Sequence, residues 1–286
     1  MGYFLMLVSV SANLSEGILI KKYNAKHSKG GMFFTGIISL FAMLYFLLTD
    51  KEGFYSPTAM LPYAAAFGII YCIAYLLTFV ALANGSFTMS MLIISYSTVF
   101  PIIFGILWLD EAATILTYIG FALLALSLFL VRGKKETGTE KKNVSLKWLI
   151  AIILTSVGNG LLAIIKKMQQ IKFDNACNNE FMVLALSISA AVLLIGGLVR
   201  ERKDIREIVV HGTPYAGAAG VANGLHNLMT IYINNLLPIS ISSPAISGIK
   251  IVFSYLVSSI FFRERYLNRQ VIGVAIGAAA VIFLNL

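Results

Sequence analysis

Ten apolar runs, each close to the length of a bilayer-crossing helix, follow one another along this chain. They cover roughly residues 3–20, 31–49, 60–82, 87–109, 114–131, 146–165, 180–199, 212–234, 240–262 and 267–285. A helix needs about 20 predominantly apolar residues to span hydrocarbon. In lipid, every backbone polar group must be satisfied within its own element, which leaves helices and closed barrels. Runs this long predict helices. The expected fold is an all-α polytopic membrane protein with ten transmembrane helices. The run 212–234 is the least apolar, because it carries Asn223, His226, Asn227 and Asn234.

Composition points the same way. Hydrophobic residues make up 58% and charged residues 12%, against about 25% charged in soluble domains. Mean hydropathy is +0.85. The first run begins almost at Met1, with neither a basic leader nor a small-residue cleavage site, which predicts a retained first helix. Cys72 and Cys177 lie far apart and form no C-x-x-C pattern, so neither a disulfide nor a metal site is expected.

The net charge of +9 would raise nucleic-acid binding in a soluble protein. Here the basic residues sit in short loops between apolar runs, which is a topology signal. No nucleic-acid partner is expected. Alternating the ten runs puts 17 Lys and Arg residues on one side and 4 on the side of the termini. The bias predicts a multi-pass protein of the plasma (inner) membrane with both termini outside and the central linker in the cytoplasm.

The longest polar break, "RGKKETGTEKKNVSLK", falls at mid-chain, and it prompts a search for an internal repeat. "LDEAATILTYIG" (109–120) matches "FRERYLNRQVIG" (262–273), pairing Glu111 with Glu264 at a shift of 153. "SANLSEGILIKK" (11–22) matches "SVGNGLLAIIKK" (156–167) at a shift of 145. The expected organisation is a first five-helix repeat over 1–131, a polar linker over 132–145 and a second five-helix repeat over 146–286. An odd number of crossings inverts the second repeat relative to the first. Such folds place a substrate site between repeats near the bilayer midplane.

The stretches "YSTVFPIIFGILWLDEAATILTYIGFALLALSLFLV" (96–131) and "FSYLVSSIFFRERYLNRQVIGVAIGAAAVIFL" (253–284), with Lys21 and Lys166 closing the first helix of each half, resemble the drug/metabolite transporter superfamily, of the ten-helix EamA type. The resemblance implies a secondary carrier working by alternating access. Two departures stand out. Pro101 has Ser254 at its repeat position, the second half placing Pro244 earlier. The charge bias also points to external termini, where many relatives place both in the cytoplasm.

Polar residues inside the spans share helix faces, and intramembrane ionisable groups mark pathways. Ser240, Ser243, Ser247, Lys250, Ser254 and Ser258 recur in steps of three and four, forming one stripe. Lys250 lies about ten residues from either end of its run, roughly 15 Å, too deep for its stem to reach an interface easily. Asn223, His226, Asn227 and Thr230 form a second face, and a shift of 152 superposes Tyr71, Tyr75 and Thr78 on Asn223, Asn227 and Thr230. Asn13 and Glu16 lie on the first run, Ser97 and Pro101 on the fourth, and Asn159 on the sixth.

The expected substrate-binding set is Lys250, Ser247, Ser243, Asn227, Asn223, Tyr75, Tyr71, Ser97, Asn13 and Asn159. Glu16 and His226 are the candidate coupling groups, with Glu16 expected to form an ion pair with Lys250. Pro101 is a candidate hinge. The bland alternatives are close packing for the serines, interhelical hydrogen bonding for the amides, and a neutral core role for His226. The expected function is secondary active transport of a small polar metabolite, an amino acid or another carboxylate- or anion-bearing solute. A lipid-linked substrate flippase or drug exporter is the competing reading. An enzyme is not expected, since no catalytic cluster, phosphate-binding loop or paired carboxylates are present in the sequence. No cofactor is expected. The partners are the solute and membrane lipid, and a homodimer is left open.

Overall fold

The computed structural model describes residues 2–27, 29–50, 55–111, 114–131, 146–262 and 268–284. The linker 132–145 and the turn holding Glu264 lie outside the described residues, as does the side chain of Ser258. Among the described residues every regular element is a helix. These are α1 (Gly2–Lys26), α2 (Gly31–Thr49), α3 (Leu61–Asn84), α4 (Phe87–Ser95), α5 (Val99–Trp108) and α6 (Ile115–Val131). In the second half they are α7 (Leu146–Lys172), α8 (Asn178–Arg200), the short α9 (Ile205–Glu207), α10 (Thr213–Leu236), α11 (Ile239–Val257) and α12 (Asn268–Leu284).

Among the described residues the ten apolar runs fall on helix, and seven of the helical rods are long and apolar enough to cross a membrane. α6 and α12 carry shorter apolar stretches. α10 is long enough, but its asparagines and histidine keep it out of the seven. Many large apolar side chains face outward, among them Leu48, Trp108, Ile115 and Val199. An exterior of this kind suits a lipid solvent.

The fourth apolar run is not one continuous α-helix. α4 and α5 are joined by a 3₁₀ turn at Tyr96–Thr98. Pro101 explains the break: it has no N–H to donate to the carbonyl of Ser97, and its ring crowds that turn.

Packing runs between the two halves. α1 lies on α10, α3 on α7 and α8, α2 on α8 and α10, α6 on α12, and α11 on α4 and α5. Small residues allow the closest approaches. A Cβ at Gly68 on α3 would stand 2.6 Å from the carbonyl oxygen of Ala185 on α8, and one at Gly220 on α10 would stand 2.5 Å from that of Ile38 on α2.

Carboxylates fasten helix starts across the bundle. Glu201 accepts from the backbone N–H groups of Met32 and Phe33, both at 2.9 Å, at the start of α2. Glu111 accepts from Ile239 at 3.2 Å and Ser240 at 2.9 Å, at the start of α11. The first helical N–H groups have no partner within their own helix, and the helix dipole favours an anion there. At the end of the bundle bearing the α1–α2 turn, Lys29 pairs with Asp204 and Glu207, both at 3.4 Å, and His27 with Glu207 at 3.3 Å.

Candidate functional site

A cavity of about 180 Å³ opens among α1, α3, α4, α5, α7, α10 and α11. That is room for on the order of ten water positions, the scale of a small metabolite. Each helix turns its periodic polar face towards it. From α1 come Asn13 and Glu16, three residues apart on one face. α3 contributes Tyr71 and Tyr75, with rings stacked at 3.9 Å. Ser97 enters from the 3₁₀ turn and Pro101 from α5. Asn159 enters from α7, His226 and Asn227 from α10, and Ser243, Ser247 and Lys250 from α11.

Twelve of the thirteen singled-out residues therefore line this one space. Asn223 does not. It is fully buried behind the lining, where its neighbours use all of its polar atoms. Its Nδ2 donates to both Glu16 oxygens, at 3.2 and 3.3 Å, and contacts the Tyr75 hydroxyl. Its Oδ1 accepts from the Tyr71 hydroxyl at 3.0 Å and from Asn227 Nδ2 at 3.1 Å. Asn223 organises the wall rather than facing the space.

The expected Glu16–Lys250 ion pair is not formed. No hydrogen bond or ion pair joins Lys250 Nζ to any described residue. Glu16 takes the Asn223 amide and the Tyr75 hydroxyl as its donors instead. The two side chains line the same cavity. The serine stripe of α11 also divides. Ser243 and Ser247 reach the cavity, while Ser254 is buried and donates to the carbonyl of Ile251 at 2.8 Å.

The site contains one charge beyond those the polar faces predict. Lys166, which the sequence places at the close of the first helix of the second half, is 5% exposed and lines the cavity. Its Nζ donates to Asn227 Oδ1 at 2.6 Å and stands 6.0 Å over the Phe67 ring. Its neighbour Lys167 donates to the carbonyl of Asn234 at 3.1 Å. The signal in the sequence was the helical step: Lys166 follows Asn159 by seven residues, two turns on the same face.

His226 Nδ1 lies 2.8 Å from Ser9 Oγ and 3.1 Å from the Ser9 carbonyl oxygen. A bond to that carbonyl would leave Nε2 as the acceptor on the ring. Among the described residues no group of three or more His, Cys, Asp or Glu side chains is arranged to hold a metal ion.

The chain has likenesses among known proteins. A solved structure described only as "Crystal structure of protein" matches it with a TM-score of 0.59 at 10% identity, covering 98% of this chain and 96% of that one. At that identity the likeness concerns the fold alone. No curated protein matches the sequence. Residues 1–133, the first half of the chain, match the model of the EamA-like transporter family, which lies in the drug/metabolite transporter superfamily.

Proposed function

We propose that this protein is a secondary active carrier that moves a small polar metabolite, an amino acid or another carboxylate-bearing solute, across the plasma membrane by alternating access. The observation that carries the reading is the cavity. Charged and amide side chains from both halves converge on a space of metabolite size within a bundle whose outer face is apolar. Lys250 supplies an ammonium with no protein partner among the described residues, and Asn, Tyr and Ser side chains supply neutral hydrogen bonds around it. Pro101 and the 3₁₀ turn before it provide a weak point in one wall.

The carrier reading includes ten spans in two inverted repeats. The helix pairings support it, because they map onto themselves when the halves are exchanged: α1 on α10 becomes α7 on α3, and α2 on α10 becomes α8 on α3. The hydrogen bonds follow the same exchange. Asn24 Nδ2 donates to the Phe79 carbonyl and Gln170 Nε2 to that of Ile231, both nearly across equivalent helices. These bonds relate α1 to α7 by a shift of 146, one more than the double lysines suggest, and so pair Asn13 with Asn159. The charge bias continues to favour external termini.

Uptake of labelled amino acids into proteoliposomes tests the proposal. Accumulation above protein-free vesicles supports it. Movement of a labelled lipid between leaflets, with no amino-acid uptake, would favour the flippase reading instead.

A further inference from the structure

We propose that the cavity selects a solute with two acidic groups, one ammonium and a net charge of −1, the class of the acidic α-amino acids. The inference rests on the carrier reading and names its substrate more narrowly.

It starts from the ionisable groups in the lining. Among the described lining residues these are Glu16, Lys166, Lys250 and His226. Taken at formal charge, with the imidazole neutral, the wall carries two cations and one anion. A buried charge is tolerated when it is paired. Glu16 accepts from the Asn223 amide, which its two oxygens share, and from the Tyr75 hydroxyl, and a carboxylate has about four acceptor positions. Lys166 spends one N–H on Asn227 and has two more. Lys250 spends none on a described residue. The wall is therefore short of one negative charge and of acceptors for two ammoniums.

The acceptors in surplus lie on α1. Asn13 Oδ1 is buried with no hydrogen-bond partner, and Asn13 lines the cavity three residues from Glu16. Together these two offer a place for a ligand ammonium. The lysines arrive from α7 and α11, on other walls of the same space. A neutral amino acid satisfies Glu16 and one lysine and leaves the other unpaired. A simple dicarboxylate satisfies both lysines but leaves Asn13 Oδ1 without a donor and the Glu16 charge without a cation. An acidic amino acid supplies all three contacts and the missing charge.

The test uses three near-isosteres on purified full-length protein: L-glutamate, L-glutamine and glutarate, with affinities read by thermal shift and calorimetry. L-glutamate is expected to bind on the order of tenfold more tightly than either of the others. Lys166→Gln keeps an amide donor for Asn227. It is expected to lose the preference for L-glutamate over L-glutamine, while Lys166→Arg restores it. A monodisperse size-exclusion profile and a cooperative melt show that the variant is folded. Equal wild-type affinity for glutamate and glutamine, or a preference that survives Lys166→Gln, overturns the inference while leaving the carrier reading intact. Failure of all three ligands to bind overturns both.

Discussion

Tyr71 donates its hydroxyl proton to Asn223 Oδ1 across 3.0 Å, and the two residues occupy matching positions of α3 and α10, separated by 152 in sequence. The bond joins the two halves beside the cavity and fixes the amide so that its Nδ2 faces Glu16. Removing the amide should therefore cost more than removing the hydroxyl. Asn223→Ala takes the amide donor from the Glu16 carboxylate, 3% exposed, and leaves it the Tyr75 hydroxyl alone. The expected loss of stability is about 1–3 kcal/mol. Tyr71→Phe leaves Asn223 Oδ1 with its Asn227 bond and should cost less, about 1 kcal/mol. Thermal unfolding in detergent gives the order, and a larger loss for Tyr71→Phe would contradict it.

Glu111 tests the cross-bundle caps. Glu111→Ala frees the Ile239 and Ser240 N–H groups at the start of α11. A loss of about 1 kcal/mol is expected. Hydrogen exchange at those two amides should accelerate relative to the middle of the helix. Unchanged protection there would show that the contact does not hold the helix end.

The glycines separate a rigid contact from a soft one. Gly220→Val would drive side-chain carbon into the Ile38 carbonyl oxygen, part of a packed backbone that cannot step aside. Gly196→Ala meets only the terminal methyl of Met32, the far end of a flexible side chain. The first variant is expected to lose monodisperse protein on size-exclusion chromatography, and the second to keep it. Equal behaviour would remove close approach as the reason for glycine at 220.

At the end of the bundle bearing the α1–α2 turn, hydrogen bonds from His27 and Lys29 hold the Glu207 carboxyl below its ordinary range. The partner effect raises Lys29, through Asp204 first and then Glu207. A depressed acid stabilises the fold above its unfolded titration and loses that contribution as pH falls through the folded one. The difference in melting temperature between wild type and Glu207→Gln should therefore be present near neutrality. It should shrink as pH falls through about 4. Both side chains are exposed, so the difference is small. A gap that widens in acid would contradict the assignment.

Much of the fold is legible in the sequence, because lipid enforces long apolar runs and each one falls on helix. The polar faces are legible for a related reason. Steps of three and four place Asn227, Ser243, Ser247 and Lys250 on faces that meet in one cavity. Periodicity identifies a face but not its partner. Asn223 shares the step pattern of Asn227, yet it turns into the wall because Glu16, Tyr71 and Tyr75 are all close enough to bond it. Lys166 was hidden for the opposite reason. It stands beside Lys167 near the end of an apolar run, where a lysine pair reads as an interfacial anchor. Its burial depends on the packing of α7 against α3 and on the Asn227 acceptor, neither of which a single sequence displays.

The central claim is that solute crosses through the cavity and is held there by Lys250. Counterflow in proteoliposomes preloaded with unlabelled amino acids measures this directly. The account predicts that the wild type accumulates labelled substrate, whereas Lys250→Ala, monodisperse and correctly inserted, stays at the level of protein-free vesicles. Wild-type rates in the Lys250→Ala variant would contradict it.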